Sequence, residues 1–584
     1  MDKFGLIKTT VTSVMMTSIV VAPTIVHFTT KPTPIHDPTF TKYVKQALEE
    51  FGGSEFYSYS GNVEGICAQP RKSGNFNNIV PYLEQRVKEI LGSDLDGEVQ
   101  RITGTTTAGE ENCDLMFDVK PTKGCESWKP IILQGHMDMV LDGTKAAQEY
   151  AEKYGIQPEI EGNIVHSVNH DTSLGADNGM GLSILLTLLK NRNSFKHGPI
   201  RILCTSNEET TTGGAEIIKE IEENKQKVFF PDGKAIDYLI NVDAEPRYGI
   251  YRSCAGLFDI HFNHEFSVEE IGTGWIPYEL WIGNLNGGHS AWDMENYRAN
   301  ADRMAFEFLN ELNGTSGQNI KIISYDHNGS EFKSNQIIKN GHLIFAINSN
   351  ISEQTLNNTK DKLFAEWSEF YTGDDFSKVQ FSFAPVHSSS KCLSSSDTAN
   401  LIKFLGSNKK ASLDPLDLQK GLFYGILDMT DDESPRPVAS TNIGPIKIDS
   451  DSTHVYLTGV SKTRLIDEEN IDKISQAYQS GGNETLGYQP IINNIMIPWM
   501  PIEDNTMLEW MEDAYRKIGV KPNPIDTRGG VEPAHWIICN PNLKCICVGP
   551  EIQNAHSTAE TCSIDTIDPC IKALMNVLSR MGTL

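Results

Sequence analysis

IILQGHMDMV (131–140) decides how the rest of the chain reads. Its first three residues are apolar without polar alternation, the pattern of a strand buried on both faces of a parallel sheet. The run then breaks at Gly135 and delivers His136 and Asp138. In open α/β sheets, ligands gather beyond the carboxyl ends of such strands. Working outward, residues 82–91 have apolar positions at helical spacing and stop at Gly92. Residues 180–190 read as an apolar helix, with Asp177 and Asn178 before it as cap-type residues. Residues 200–204 form a strand leading to Glu208 and Glu209, and 215–225 a helix after Gly213 and Gly214. Residues 238–242 form a strand leading to Asp243 and Glu245. Strand and helix in alternation imply a mostly parallel sheet covered by helices.

The pattern then changes. Residues 278–283 alternate, 303–312 read as a helix, and further alternating strands occur near 342–348, 379–384 and 453–460. Residues 387–397 are Ser-rich and read as a loop. The α/β style returns after about 489, with a helix near 504–517, a strand at 544–548 and a helix at 570–581 opened by Pro569. The expected architecture is therefore one α/β domain, 40–252 with 489–584, interrupted by an inserted α+β domain, 253–488.

The 584 residues are 39% hydrophobic and 22% charged, ordinary for a globular chain. That excludes collagen, coiled coil, wholesale disorder and a polytopic membrane protein. A net charge of −27 repels phosphate backbones and argues against nucleic acid as a partner. The 11 cysteines are odd in number, irregularly spaced and without a CxxC pair, so free thiols in a reducing compartment are expected. Residues 9–30 lack Asp, Glu, Lys and Arg. The leader, 1–39, reads as disordered, or as a signal or weak anchor that would export the protein or tether it to a membrane. The expected address is cytoplasmic, with export or tethering as the alternative.

His and carboxylate groups thus arrive on five separate elements: His136 and Asp138, Asp177, Glu208 and Glu209, Asp243 and Glu245, and His556 after the strand at 544–548. A lone Asp at a strand end is commonly a helix cap and a lone His a satisfied core group. The convergence of five elements delivering such groups to one rim is harder to dismiss.

QGHMDMV (134–140), TSLGADNGMG (172–181), SNEETTTGGA (206–215), LINVDAE (239–245), GGHS (287–290) and GPEIQNAHS (549–557), in this order, resemble the M20 metallopeptidases. ADNGMG, with LINVDAEPRYGIYRSCAG and VASTNIGPIKI, resembles the aminoacyl-histidine dipeptidase branch. The resemblance covers about residues 40–580. It implies a catalytic α/β domain and a lid formed by the inserted segment, which at this length suits two lobes. It also implies two divalent ions, Zn²⁺ first and Mn²⁺ or Co²⁺ as alternatives. His136, Asp177 and Asp243 would hold one ion, and Asp177, Glu209 and His556 the other. Asp138 would orient the His136 ring, Glu208 would act as general base, and His289 in GGHS would stabilise the oxyanion. Asn335 and Arg464 fall where the family's lid residues contact substrate; Arg suits a free carboxylate, with Arg464 the first candidate and Arg528 the second.

One departure stands out. TRGGVEP (527–533) places Arg528 where that branch has His, and it resembles the RGGTD of tripeptidases. The expected substrate is an unblocked dipeptide, with preference for a carboxyl-terminal His open. The alternatives are an M20 deacylase or carboxypeptidase, a tripeptidase, and a metal- or peptide-binding protein without catalysis. Filled ligand and base positions argue against the last. A single-lobed lid tends to dimerise in the family, so a homodimer stays open, while a two-lobed lid lets His289 serve its own chain.

Overall fold

All six residues of Ile131–His136 are buried, and the two faces of that strand enter different cores. Ile131 and Leu133 pack with Ile202, Ile240, Leu185 and Leu574, whereas Ile132 packs with Leu203, Leu239, Ile218 and Trp536. A strand apolar at every position is the sequence of an element covered on both sides. This computed structural model describes residues 40–53, 65–317, 319–327, 333–387, 391–431 and 435–584. The charge-free leader stretch, 9–30, lies outside them. Among the described residues, no helix is long and apolar enough to cross a membrane.

Among the described residues, two large sheets organise the mixed α/β fold, one of eight strands and one of ten. The first runs Leu95–Thr105, Glu111–Val119, Ile200–Thr205, Ile131–His136, Tyr238–Asn241, Lys544–Val548, Gly249–Cys254, Asn523–Thr527. Its centre, from Ile200–Thr205 to Lys544–Val548, is parallel, and antiparallel pairings flank it. Ala176–Lys190 packs on one face, buried along its length up to Leu189. Beside it, Thr506–Lys517 buries Met507, Trp510, Met511, Ala514 and Tyr515, a stripe of period 3.6, with Asn505 accepting from the Met507 N–H at 3.2 Å.

In the second sheet the main path is Gln380–Pro385, Trp275–Gly283, Gly341–Asn348, Ile320–Asp326, Pro437–Ser450, His454–Leu465, Gly256–His261, Ile491–Met496. It is antiparallel throughout this path, and Trp275–Gly283 alternates buried and half-buried positions as a one-sided strand does. Ile320–Asp326 and Pro437–Ser450 meet at the single register pair Tyr325↔Ile448.

The sequence reading differs from the structure in three places. Ile491–Met496, expected to open the returning α/β segment, pairs with Gly256–His261 in the second sheet. The two crossings between sheets are tied there, because Cys254 and Trp499 exchange backbone hydrogen bonds of 3.0 and 3.1 Å. The helix expected at 215–225 is two, Gly213–Glu220 and Glu222–Phe229, broken at Ile221 by an extended backbone (φ −94°, ψ 106°). The Ser-rich stretch after His387 is not one loop. It contains the strand Lys391–Cys392 and starts the helix Ser395–Gly406, because Ser394 caps that helix by accepting from the Asp397 N–H at 2.9 Å.

Candidate functional site

Four strand ends of the first sheet and one helix start meet at a single cluster. The strand Ile131–His136 ends on His136, whose Nε2 lies 3.0 Å from Asp177 Oδ1 and 3.4 Å from Asp243 Oδ1. Asp243 comes just after the neighbouring strand, Tyr238–Asn241. Asp177 stands at the start of Ala176–Lys190 but outside helical geometry (φ −79°, ψ 108°), and its second oxygen reaches His556 Nε2 at 3.2 Å. His556, beyond Lys544–Val548, also lies 2.7 Å from Glu209 Oε2. Asp177 therefore stands between two groups of donors, His136 with Asp243 and His556 with Glu209. His136, Asp177 and Glu209 each offer an atom within 4.8 Å of the others.

The remaining acids organise this centre. Asp138 Oδ1 sits 3.4 Å from His136 Nδ1. The same carboxylate accepts from Ser73 Oγ at 2.7 Å and from the backbone N–H groups of Glu208 and Glu209 at 3.0 and 3.3 Å. It thus faces the imidazole and also clasps the turn that carries both glutamates. Asn178, read as a cap, uses its side-chain amide on Val242 O at 2.6 Å and on Asp243.

Electrostatics follow from crowding acids in a dry place. Burial costs Asp177 most, yet hydrogen bonds from His136 and His556 overcome it and hold the carboxyl well below its ordinary range. Burial raises Asp243 to about 6 and Glu245 to about 8. Burial, with Glu209 and Asp243 nearby, pushes Glu208 well above the usual carboxylate range.

The donor set fits divalent cations. Two imidazoles and three carboxylates converge, and Glu209 Oε1 is buried without a hydrogen-bond partner. A buried carboxylate oxygen without a donor costs free energy unless a cation meets it.

His289, on the second sheet's side of the chain, pairs in a short ladder with Gln336. Its Nδ1 accepts from the Ala291 N–H at 3.2 Å, and its Nε2 lies 3.1 Å from Asn335 Nδ2. Burial, then the charges of Arg464 and His556, keep His289 well below its ordinary pKa. Arg464 is 4% exposed and donates through Nη1 to Arg528 O at 2.9 Å, while its Nε has no partner. Arg528 spends Nη1 on Pro437 O and Nη2 on Ser440 Oγ, the latter at 2.7 Å. Its guanidinium ties the TRGG turn to the strand Pro437–Ser450. Burial pulls both arginines down to about 10.

Sequence reasoning passed over several buried residues here. Glu532 accepts from Thr205 Oγ1 at 2.8 Å and from Gln134, beneath the strands ending at His136 and Thr205. It lay within the quoted TRGGVEP, where its charge in an apolar setting was the only signal. Arg71 donates to Asp138 O at 2.8 Å, Met137 O at 3.2 Å and Gly175 O. Its one trace in the sequence is the small size of Gly175 and Gly179, where a Cβ would come within 2.5 Å of Arg71 Nη2. Glu560 accepts backbone N–H groups near Asp177.

A profile of peptidase family M20/M25/M40 matches residues 132–580. Among curated proteins, the chain is 24% identical to the cytosol non-specific dipeptidase of Escherichia coli (strain K12) over 513 residues, 86% of this chain and 93% of that protein. Among solved structures, the aminoacylhistidine dipeptidase of Vibrio alginolyticus aligns with a TM-score of 0.63 at 24% identity, over 88% of this chain and 94% of its own. A tripeptidase from Staphylococcus aureus subsp. aureus mu50 aligns with a TM-score of 0.50 at 13% identity, covering 93% and 99%.

Proposed function

The chain belongs to peptidase family M20/M25/M40, and from that membership we propose that it is a two-metal dipeptidase acting on unblocked dipeptides. The observation that carries the reading is the bridging position of Asp177, with one oxygen on His136 and the other on His556. His136, Asp177 and Asp243 would hold one divalent ion and Asp177, Glu209 and His556 the other, with Zn²⁺ first and Mn²⁺ or Co²⁺ as alternatives. When bound, such a pair supplies positive charge that activates water and polarises the scissile carbonyl.

The chain's own residues do the rest. Glu208 takes the proton of the attacking water on its carboxylate and passes it to the leaving amine nitrogen. Asp138 keeps the His136 ring in place. His289 donates a ring N–H to the developing oxyanion. Arg464, whose Nη2 and Nε remain for a ligand, pairs with the substrate carboxylate. Arg528 serves that pocket indirectly, through the carbonyl that holds Arg464. On this reading residues 40–252 with 497–584 are the catalytic domain, and 253–496, which include the strand Ile491–Met496 of the second sheet, are its lid, two-lobed about the Tyr325↔Ile448 junction. The eleven cysteines, all free, and the cytosolic relative support a cytoplasmic address.

A panel of peptides offered to metal-loaded protein tests the assignment. Dipeptides, including those ending in His, should be cleaved far faster than tetrapeptides or N-acyl amino acids. N-acetyl amino acids cleaved fastest would make the protein a deacylase, and tripeptides cleaved fastest a tripeptidase, the reading that the TRGG turn favours.

A further inference from the structure

Behind the bridging aspartate lies a carboxylate that takes no part in the proposed hydrolysis. Glu560 is 2% exposed. It accepts from the backbone N–H groups of Leu174 at 2.8 Å, Gly175 at 2.9 Å and Asp177 at 3.2 Å. Gly175 is left-handed (φ 67°, ψ 30°), a turn in which successive N–H groups converge into an anion-binding concavity. The anion here belongs to the protein. From the other side Arg71, also 2% exposed, holds the Gly175 carbonyl together with the carbonyls of Met137 and Asp138. The turn before Asp177 is thus gripped through its N–H groups by an anion and through its carbonyl by a cation.

Each grip leads to a different metal ligand. Arg71 links the turn to the residues just after His136. Glu560 links it to the loop carrying His556, four residues earlier in sequence and closed by hydrogen bonds from the Ala559 N–H to Ser557 Oγ at 3.2 Å and from the Glu560 N–H to Ser557 O at 3.1 Å. His556 itself is left-handed (φ 64°), a backbone that a non-glycine residue keeps only when its surroundings impose it.

We propose that Glu560 is a positioning residue that sets the separation of Asp177 from His556, and so selectively tunes the affinity of the second metal position. The proposal rests on the two-metal reading. Its logic is geometric. Asp177 Oδ2 and His556 Nε2 both belong to the second position, and Glu560 is bonded to the backbone of the first and joined by a short closed loop to the second. His136 and Asp243, which complete the first position, are met by Asp138 and Asn178, neither of which Glu560 touches directly.

Glu560→Gln and Glu560→Asp variants test this, with zinc affinity read at both positions by chelator competition and melting temperature read with and without zinc. The glutamine keeps the shape but turns an NH₂ toward backbone donors. It should weaken the second zinc at least tenfold and the first by less than threefold. Its melting temperature should fall more in the zinc-loaded protein than in the chelated one, because a ligand stabilises in proportion to the logarithm of its affinity. Aspartate, which keeps the charge on a shorter arm, should recover part of the second affinity. Equal losses of stability with and without zinc, at unchanged affinities, would make Glu560 a fold element only and overturn the proposal. Wild-type protein that fails to take two ions would instead overturn the two-metal reading, and the two failures are read in different samples.

Discussion

Replacing Arg464 by Met removes a cation that the fold buries and does not pair. The guanidinium sits on the strand His454–Leu465, whose register on both sides is fixed by Ser440↔Arg464 and Arg464↔Leu257, so the side chain departs from a rigid origin. It makes one bond, to Arg528 O at 2.9 Å, and among the described residues no carboxylate forms an ion pair with it. A substrate carboxylate arriving there gains two charge-assisted hydrogen bonds, each worth about 1.5–3 kcal/mol. After desolvation of the anion roughly 3–4 kcal/mol should remain, which is a loss of about 10²–10³-fold in kcat/KM when the arginine goes. The assay is a cross of two changes. Wild-type and Arg464→Met enzyme are each given a dipeptide and its carboxamide. The wild type should prefer the free acid by about 10²–10³-fold, and the variant should treat the two alike. The metal-free variant should also melt no lower than wild type, since an uncompensated buried charge has been exchanged for an apolar chain of similar volume. Equal loss on acid and amide would refute the reasoning, because Arg464 would then be supporting the fold rather than reading the substrate.

Glu208→Gln should keep both metals and lower kcat by roughly 10²-fold or more, whereas Glu209→Gln should lose metal. Metal analysis of both variants beside their rates decides whether the pair is assigned the right way round. Chelation should abolish activity, and Zn²⁺, Mn²⁺ or Co²⁺ should restore it. Under half an ion per chain after saturation and desalting would refute the ligand set. If the lid serves its own active site, mixing inactive His289→Ala with inactive Glu208→Gln should restore nothing; recovered activity in the mixture would show a site shared between subunits.

The parts of the site that could be read from sequence are those at which a strand ends. Residues 131–133 are apolar because both faces of their sheet are covered, and His136 and Asp138, coming directly after that covered stretch, must lie at the open rim. The same holds for Asp243 after 238–242 and for Glu208 and Glu209 after 200–204. Position after a strand is local information. The role of Arg71 is not, since its three carbonyl partners lie at 137, 138 and 175, and no periodicity marks a residue that serves distant backbone. Arg528 shows the converse. Its charge in a motif suggested a ligand contact, but its two Nη groups are spent on Pro437 and Ser440, a pairing that only the approach of two sheets creates. The break at Ile221 escaped for a plainer reason: the residues on either side of it keep an apolar spacing that a single helix also satisfies, and nothing but the backbone angle of one isoleucine separates the two.

The interruption of the first sheet governs the order in which the protein can be made. Lys544–Val548 sits between Tyr238–Asn241 and Gly249–Cys254, yet it comes about 300 residues after Asn241. At ribosomal rates of about 5–20 residues per second, that slot stands open for roughly 15–60 s. Throughout that time the edge of Tyr238–Asn241, whose last three residues are buried in the finished protein, is a bare template for strand pairing. The second sheet is complete some 50 residues before Lys544–Val548 emerges, since its last strand is Ile491–Met496. The nascent chain therefore carries a finished appendage on an unfinished body, and His556 arrives last of the five candidate ligands. A truncated product lacking Lys544–Val548 would keep four of them and leave an open, apolar strand edge, a template for pairing with another chain.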